Sequence, residues 1–490
     1  MSNPSNQLDI ELIKKRAVSG VVTFTLRTLF IQIFTFIAVF VLTIILDEST
    51  YGIYIFVSAL INIFVYFSDV GLAAALIQKR EELSQKDLAT TFTIQQAIVL
   101  TLVSIGLIFS SKIASFYNLD SQGLLLIRVL IFSLLLSSLK TIPSILLERK
   151  LSFTRLVIPQ VTENIVFYST AVVLAISGFG IASFTWAVLA RGVIGLSIIY
   201  VLSPWMPSIA FNRLIAKKLT LFGVPFQLNS IIALLKDDLL IVFLSKILTF
   251  AQVGYIGWSQ KFAFLPLRFF MDSVNKVTFP AYSRLQEHKQ ELGKAIEKSL
   301  FFVTYLVYPS VFGIAAIAPK LIEVIPKYQK WEQALPLLYL FVINSIFSAI
   351  STTFTNALFA TGRPKIVLNL MIFWTTATWI LTYPLVLKFG FIGVGIASAI
   401  VATTSLVTIY FVKKEISVSV SRNIFGPLLV SVIMFIIVRA IQSTYVQNIF
   451  GLIITVAIGA TVYIIVSFAI FKKHLIEDAR IILTSFFSKS

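Results

Sequence analysis

Apolar runs close to twenty residues long recur from the N-terminal region to residue 471, separated by short polar stretches. A helical run of that length crosses the ~30 Å hydrocarbon layer of a bilayer. The runs are continuous rather than alternating, which excludes a β-barrel with its period of two. The pattern predicts about fourteen spans, at residues 17–46, 51–77, 89–110, 123–147, 155–177, 181–203, 219–245, 252–281, 300–323, 333–360, 366–387, 391–412, 425–443 and 449–471. The expected fold class is therefore an all-α polytopic membrane protein.

The pattern also repeats. "FGIAS" (Phe179 to Ser183) opens the sixth span and "VGIAS" (Val394 to Ser398) the twelfth, at an offset of 215. "YGIY" (Tyr51 to Tyr54) opens the second span and "VGYI" (Val253 to Ile256) the eighth, at an offset of 202. In this second pair an Asp, Asp69 or Asp272, follows the Gly 17 or 18 residues later. Two such matches imply two pseudo-symmetric six-helix lobes in the same orientation, the arrangement of transporters that rock about a central site. The expected organisation is an N-terminal lobe at 1–210, a C-terminal lobe at 211–415, and two further helices with a cytoplasmic tail at 416–490.

Composition supports this reading. The 490 residues are 58% hydrophobic and 13% charged, against about 25% charged in soluble domains. There is no cysteine, which removes disulfides, thiolate metal sites and Cys nucleophiles. His288 and His474 lie in charged segments between or beyond the spans and suggest no metal, so no cofactor is expected. Lys14, Lys15 and Arg16 precede an apolar run far longer than the ~7–15 residues of a signal-peptide core, so the first span is expected to remain as an anchor.

The net charge of +18 raises nucleic-acid binding, but the placement of the charges answers it. With the N-terminus inside, 25 of the 40 basic residues fall in cytoplasmic segments and 7 outside. This asymmetry is the positive-inside pattern and puts both termini in the cytoplasm. It leaves no basic excess for a nucleic acid to explain. The outside loops are too short for a catalytic domain, so an enzyme is not expected.

With Arg155, Lys320 and Arg439, near span ends, counted in the flanking segments, eight cations remain inside the spans: Arg27, Arg128, Lys140, Arg191, Lys236, Lys261, Arg268 and Lys276. Five acids do so as well: Asp69, Glu163, Asp237, Asp238 and Asp272. An intramembrane charge costs about 2.5–3.5 kcal/mol on insertion scales and marks a pathway or a pair. Lys140 and Lys276, near inside ends, are expected to snorkel to the interface. Arg27, Arg128, Arg191, Lys236, Lys261 and Arg268 are the candidate lining of an anion-accepting cavity, because guanidinium groups bind phosphate and carboxylate through paired donors. The acids are candidates for proton or sodium coupling. A purely structural pairing stays open for Lys236 with Asp237 or Asp238, and for Asp69 and Glu163 with a nearby Arg. Lys236-Asp237-Asp238 is expected within one span, since a break would leave only Leu239 to Ser245 before Lys246. Pro159, Pro225, Pro266 and Pro309 should kink their spans. Residues 283–299, "SRLQEHKQELGKAIEKS", read as a solvated linker helix.

"LDESTYGIYIFVSALINIFVYFSDVGLAAALIQKRE" (Leu46 to Glu82) resembles the start of polysaccharide-repeat flippases of the Wzx type, in the multidrug/oligosaccharidyl-lipid/polysaccharide exporter superfamily. The shared pattern is Gly-x-Tyr entering the second span and the run from Asp69 to Gln78 leaving it. "LKDDLLIVFLSKILTFAQVGYIGWSQKFAFLP" (Leu235 to Pro266), "FPAYSRLQ" (Phe279 to Gln286) and "NALFATGRPK" (Asn356 to Lys365) fit the same family. The resemblance implies two six-helix lobes around a central cavity and two extra C-terminal helices. It implies alternating-access movement of undecaprenyl-diphosphate-linked oligosaccharide to the outer leaflet of the bacterial cytoplasmic membrane. It points to polysaccharide polymerase and chain-length proteins as candidate partners, and to a monomer. Similar lipid II flippases carry cavity arginines on the first and eighth helices, where Arg27 and Arg268 stand here. Two alternatives remain. A multidrug exporter of the same superfamily should favour acids over bases in its cavity. A membrane-embedded polysaccharide polymerase should need a longer loop than any present.

Overall fold

In the computed structural model residues 26–69, 71–79 and 81–487 are described, with the side chains of 222–233, 272–273, 443–445 and 472–487 excepted. The described chain is all-helical. It divides into two compact units, Met1–Gly254 and Tyr255–Ser490.

The first unit holds α1 (Leu26–Ile45), α2 (Glu48–Ser68), α3 (Leu72–Gln78), α4 (Gln85–Phe116), α5 (Ser121–Leu139) and α6 (Thr141–Arg149). It continues with α7 (Phe153–Ile176), α8 (Ala182–Leu202), α9 (Arg213–Lys236), α10 (Asp238–Ile247) and the first turn of α11 (Phe250–Leu285). Helix starts are set by side-chain caps. Asp47 accepts from Thr50 N at 3.0 Å, and Asp120 from Gly123 N at 2.8 Å. Ser84 and Asp87 cap each other's backbone and start α4 four residues before the apolar run. Helices α9 and α10 pack within this unit, against α2, α3 and α4. Leu72, Leu76, Leu88, Phe92, Ile142 and Trp205 share one buried cluster there.

The second unit holds the rest of α11, then α12 (Lys289–Val324), a 3-10 turn (Gln329–Ala334), α13 (Leu335–Ala360), α14 (Pro364–Phe389), α15 (Ile392–Thr404), α16 (Val407–Lys413), α17 (Val420–Tyr445) and α18 (Ile449–Phe487). The turn into α14 uses Gly362 at φ 74° followed by Pro364 at the first helical position, which starts a helix without a lost N–H. Helix α17 lies along α12, and α18 against α17. Thr304 donates to the Asn423 carbonyl at 2.7 Å and Tyr463 to that of Tyr305 at 2.8 Å.

Among the described residues twelve helices or helix pairs are long and apolar enough to cross a membrane. The fourteen expected segments map onto these twelve plus α9–α10 and α11. The 36-residue α11 carries Lys261, Arg268, Asp272 and Lys276 along its length.

Helices α7, α11 and α12 run on past Pro159, Pro266 and Pro309. Interruptions fall at Asp69 and Gly71, at Lys140 and at Asp237. Asp237, at φ −100° and ψ −64°, makes the seventh segment a discontinuous helix. One expectation changes: the 283–299 stretch is not a separate linker helix. Its ends extend α11 and α12, because Leu292 and Ile296 continue the spacing of Leu300 and all three are buried with Tyr282 and Ile416.

One close approach admits only glycine. A Cβ on Gly52 in α2 would lie 1.8 Å from the Phe250 carbonyl oxygen, and one on Gly254 would lie 2.2 Å from that of Glu48. The first turns of α2 and α11 therefore meet backbone to backbone. The two glycines are the pair that the repeated "YGIY" and "VGYI" align. A Gly52→Ala variant should fold in much lower yield or lose several degrees of thermal midpoint, since backbone cannot yield as side chains do. Gly313→Ala is the control. Its Cβ would meet only Met434 Cε at 3.8 Å, and its midpoint should hold or rise.

Candidate functional site

Helix α7 carries Glu163 to a position beside α8. There Arg191 and Gly195 stand one turn apart. A Cβ on Gly195 would fall 2.1 Å from Glu163 Oε1, so the carboxylate occupies the space that glycine leaves. Lys140, the non-helical residue between α5 and α6, donates to Glu163 Oε1 at 2.7 Å. Arg191 Nε lies 3.9 Å from the other oxygen. Glu163 and Lys140 are only 15% and 16% exposed, while Arg191 is 53% exposed and lies over the Phe167 ring at 5.7 Å. Lys140 thus does not snorkel: burial makes the nearby carboxylate its counter-charge. One acid faces two cations, and the surplus positive charge sits on the exposed Arg191. Around it, Tyr54 stacks on Phe184 at 3.9 Å, and Phe34 meets Tyr168 at 6.4 Å, bringing α1 beside α7.

A second cluster spans α2 and α10. Asn62 donates to Asp238 Oδ1 at 2.9 Å. Asp237 is exposed at the helix interruption and Lys236 is half-buried. The far end of α10 is pinned to the end of α4. Lys246 donates to the Phe116 carbonyl at 2.6 Å, and Tyr117 to that of Val242 at 3.2 Å.

The remaining candidates in the first unit are dispersed. Asp69 Oδ1 accepts from Leu72 N at 3.0 Å and from Ala73 N at 3.4 Å, which starts α3. Arg128 donates to Ser110 and Ser111 at 3.2 and 3.0 Å, beside a cavity of about 530 Å³ lined by Ser111, Asn118 and Asp120. Arg27 is half-buried, and its Nε has no hydrogen-bond partner among the described residues.

In the second unit Lys261 and Arg268 stand seven residues apart on α11, two turns along one side of the helix. Lys261 is half-buried and Arg268 exposed. The Asp272 side chain lies outside the described residues. Ser345 of α13 donates to the Ala263 carbonyl at 2.8 Å, and Asn356 to Thr278 at 2.8 Å, which fixes α13 against this helix.

Sequence reasoning missed two things here. Asn62, the partner of Asp238, looks like any polar residue of an apolar span. Arg149 had been counted only as a cytoplasmic charge. It donates to the carbonyls of Leu76, Lys79 and Glu81 at 2.8, 2.5 and 2.7 Å and closes the end of α3. A cation just past an apolar run was the only available signal.

The model of a family described as "Polysaccharide biosynthesis protein" matches residues 41–336. The chain belongs to this polysaccharide biosynthesis family. It is 24% identical over 330 residues to the succinoglycan biosynthesis transport protein ExoT of Rhizobium meliloti, covering 67% of this chain and 66% of that one, just under two thirds of the relative. It is 21% identical over 372 residues to the lipopolysaccharide biosynthesis protein WzxC of Escherichia coli, covering 74% of each. The fold is similar to that of the lipid II flippase MurJ in an inward closed conformation, with a TM-score of 0.75 at 18% identity over 93% of this chain and 100% of that one. The Wzx-type resemblance and the polytopic helical fold are thereby established. The chain is a multi-pass membrane protein of this family.

For this family member the buried ion pair makes a stability prediction. Glu163→Gln leaves Lys140 without its counter-charge and should cost about 3–5 kcal/mol. Replacing both residues, as in Lys140→Met with Glu163→Leu, should recover most of that loss in thermal or denaturant unfolding of the purified protein. If Glu163→Gln is as stable as wild type, the pair does not hold these helices.

Proposed function

We propose that this protein moves undecaprenyl-diphosphate-linked oligosaccharide repeat units from the inner to the outer leaflet of the bacterial cytoplasmic membrane by alternating access. The observation that carries the reading is the pairing of family membership with cations inside the spans: Arg191, which shares Glu163 with Lys140, and Lys261 with Arg268 on α11, which have no ion-pair partner among the described residues. A diphosphate is the group that such cations suit. A cationic drug is not. Arg27, Arg128 and Lys236 complete the proposed substrate-contacting set. Lobes at 1–210 and 211–415, with 416–490 appended, are the repeat on which the cycle would run, with both termini cytoplasmic. Polysaccharide polymerase and chain-length proteins are the partners such a cycle would feed.

The cycle is coupled, in this proposal, to a proton or sodium gradient through Asp237 and Asp238. A discontinuous helix with carboxylates at its break is a recurrent ion-site design in transporters. Asp238 already holds one amide donor from Asn62. Asp69, Glu163 and Asp272 are the further candidates; the cap made by Asp69 and the pair made by Glu163 give each a structural task as well.

The function is tested by deleting the gene in its host and extracting lipid-linked intermediates. An undecaprenyl-diphosphate oligosaccharide should accumulate on the cytoplasmic leaflet while surface polysaccharide is lost. Unchanged glycolipids with new sensitivity to cationic drugs would favour the multidrug alternative instead. In reconstituted vesicles under an imposed ion gradient, Asp237→Asn and Asp238→Asn should slow flipping without reducing insertion. Wild-type rates in both would remove the coupling role. Arg268→Ala should weaken binding of undecaprenyl diphosphate about tenfold or more, the worth of a charge-assisted hydrogen bond. Unchanged affinity would make that Arg structural.

A further inference from the structure

Helix α13 carries a second pattern that the charged residues do not use. Asn344, Ser348, Thr352 and Thr355 recur at intervals of three or four, flanked by Ser345 and Asn356. At 100° per residue all six fall within an arc of about 120°. The opposite face is apolar: Ile350, Phe354, Ala357 and Leu358 belong to the buried core of this unit. A membrane helix with one uncharged polar face and one buried apolar face does not turn its polar face to lipid, where unpaired donors and acceptors are costly.

The edges of the arc are consumed by neighbouring helices. On one side Asn344 donates to Ser398 Oγ of α15 at 2.8 Å. On the other side Ser345 and Asn356 bond to α11, as described above. The middle is not used in this way. Ser348 donates to Asn344 Oδ1 at 2.8 Å, Thr352 to the Ser348 carbonyl at 2.7 Å and Thr355 to the Thr352 carbonyl at 3.0 Å. These bonds stay on α13 itself, and the three residues are half-exposed between the α11 and α15 edges. Side chains serving only to join helices would be spent on the neighbours and buried. Here each hydroxyl keeps lone pairs on the open side, and its proton can rotate away from a local carbonyl at small cost.

We propose that this face reads the glycan. Ser348, Thr352 and Thr355, with Asn344 at one end, exchange hydrogen bonds with the hydroxyl and amide groups of the sugar that the lipid diphosphate carries. The face is uncharged, rich in both donors and acceptors, and about 16 Å long from Asn344 to Thr355, enough for more than one sugar ring. It has no positive charge to pair with a phosphate. That task falls to Lys261 and Arg268, on the helix to which α13 is bonded at Ala263 and Thr278. Those two bonds hold α13 against α11; in this proposal α11 takes the common diphosphate and α13 the sugars that vary. The proposal rests on the flippase reading above and adds to it the part of the substrate that α13 recognises.

The test uses the full-length protein in lipid nanodiscs and two probes: undecaprenyl diphosphate without sugar, and the undecaprenyl-diphosphate oligosaccharide extracted from the native host. The variants are Thr352→Val alone and the triple Ser348→Ala, Thr352→Val, Thr355→Val, which keep volume and helix and remove hydroxyls. The triple variant should bind the oligosaccharide about tenfold or more weakly, the worth of two or three hydrogen bonds. It should bind bare undecaprenyl diphosphate as wild type does, with Thr352→Val shifted the same way by a smaller factor. Equal affinity of wild type and both variants for the oligosaccharide overturns the proposal and leaves the flippase reading standing. So does an equal loss for both probes. Wild-type protein that binds neither probe overturns both.

Discussion

Hydrocarbon does not solvate charge, and every feature of the interior of this protein follows from how a charge or a backbone break is paid for. Glu163 shows the constraint most directly. A carboxylate 15% exposed within apolar helices needs a cation, and Lys140 supplies it at 2.7 Å. The pair needs space, which Gly195 leaves by having no side chain. Lys140 stands at the junction of α5 and α6, where its side chain reaches Glu163. Once the pair is satisfied, Arg191 is the surplus charge, and it stays exposed.

The same constraint decides where helices break. Prolines inside α7, α11 and α12 leave them continuous. At one of the breaks a side chain serves the freed backbone groups. At Asp69 to Gly71 the carboxylate takes two amide protons of α3, and Gly71 adopts the left-handed conformation at φ 73°. At the other end of α3, Arg149 takes the released carbonyls. Asp237 interrupts α9–α10 with its carboxylate exposed. Two acidic residues thus sit at helix breaks for different reasons. One is occupied by backbone, and the other is exposed.

Polarity without charge is spent differently. Arg128 is held by two serine hydroxyls rather than by an acid. On α13 the polar groups are too many and too regularly spaced to be consumed by α11 and α15 alone. Charge in these helices is concentrated on a few residues, some of them paired, as Lys140 with Glu163. Uncharged hydrogen-bonding capacity is laid out along a face. That division matches a substrate with one anionic group and several hydroxylated rings.

The sequence by itself determined the number and order of helical segments, the fold class and the family, because a twenty-residue apolar run has only one stable form in a bilayer. It also aligned Gly52 with Gly254. What it could not supply was partnership. Lys140 sits near the end of its apolar run and reads as a snorkelling lysine. Only α7 packed on α8 turns it to Glu163. Asn62 is 176 residues from Asp238, and no local pattern links them. Arg149 counted as a cytoplasmic charge until α6 was placed beside α3. Leu292 and Ile296 looked like one side of a solvated linker until Ile416 arrived from more than a hundred residues away to cover them. Helix formation is local because the backbone hydrogen bonds close within four residues. The pairing of buried charges is not local, because the counter-charge lies on whichever helix the tertiary packing brings near.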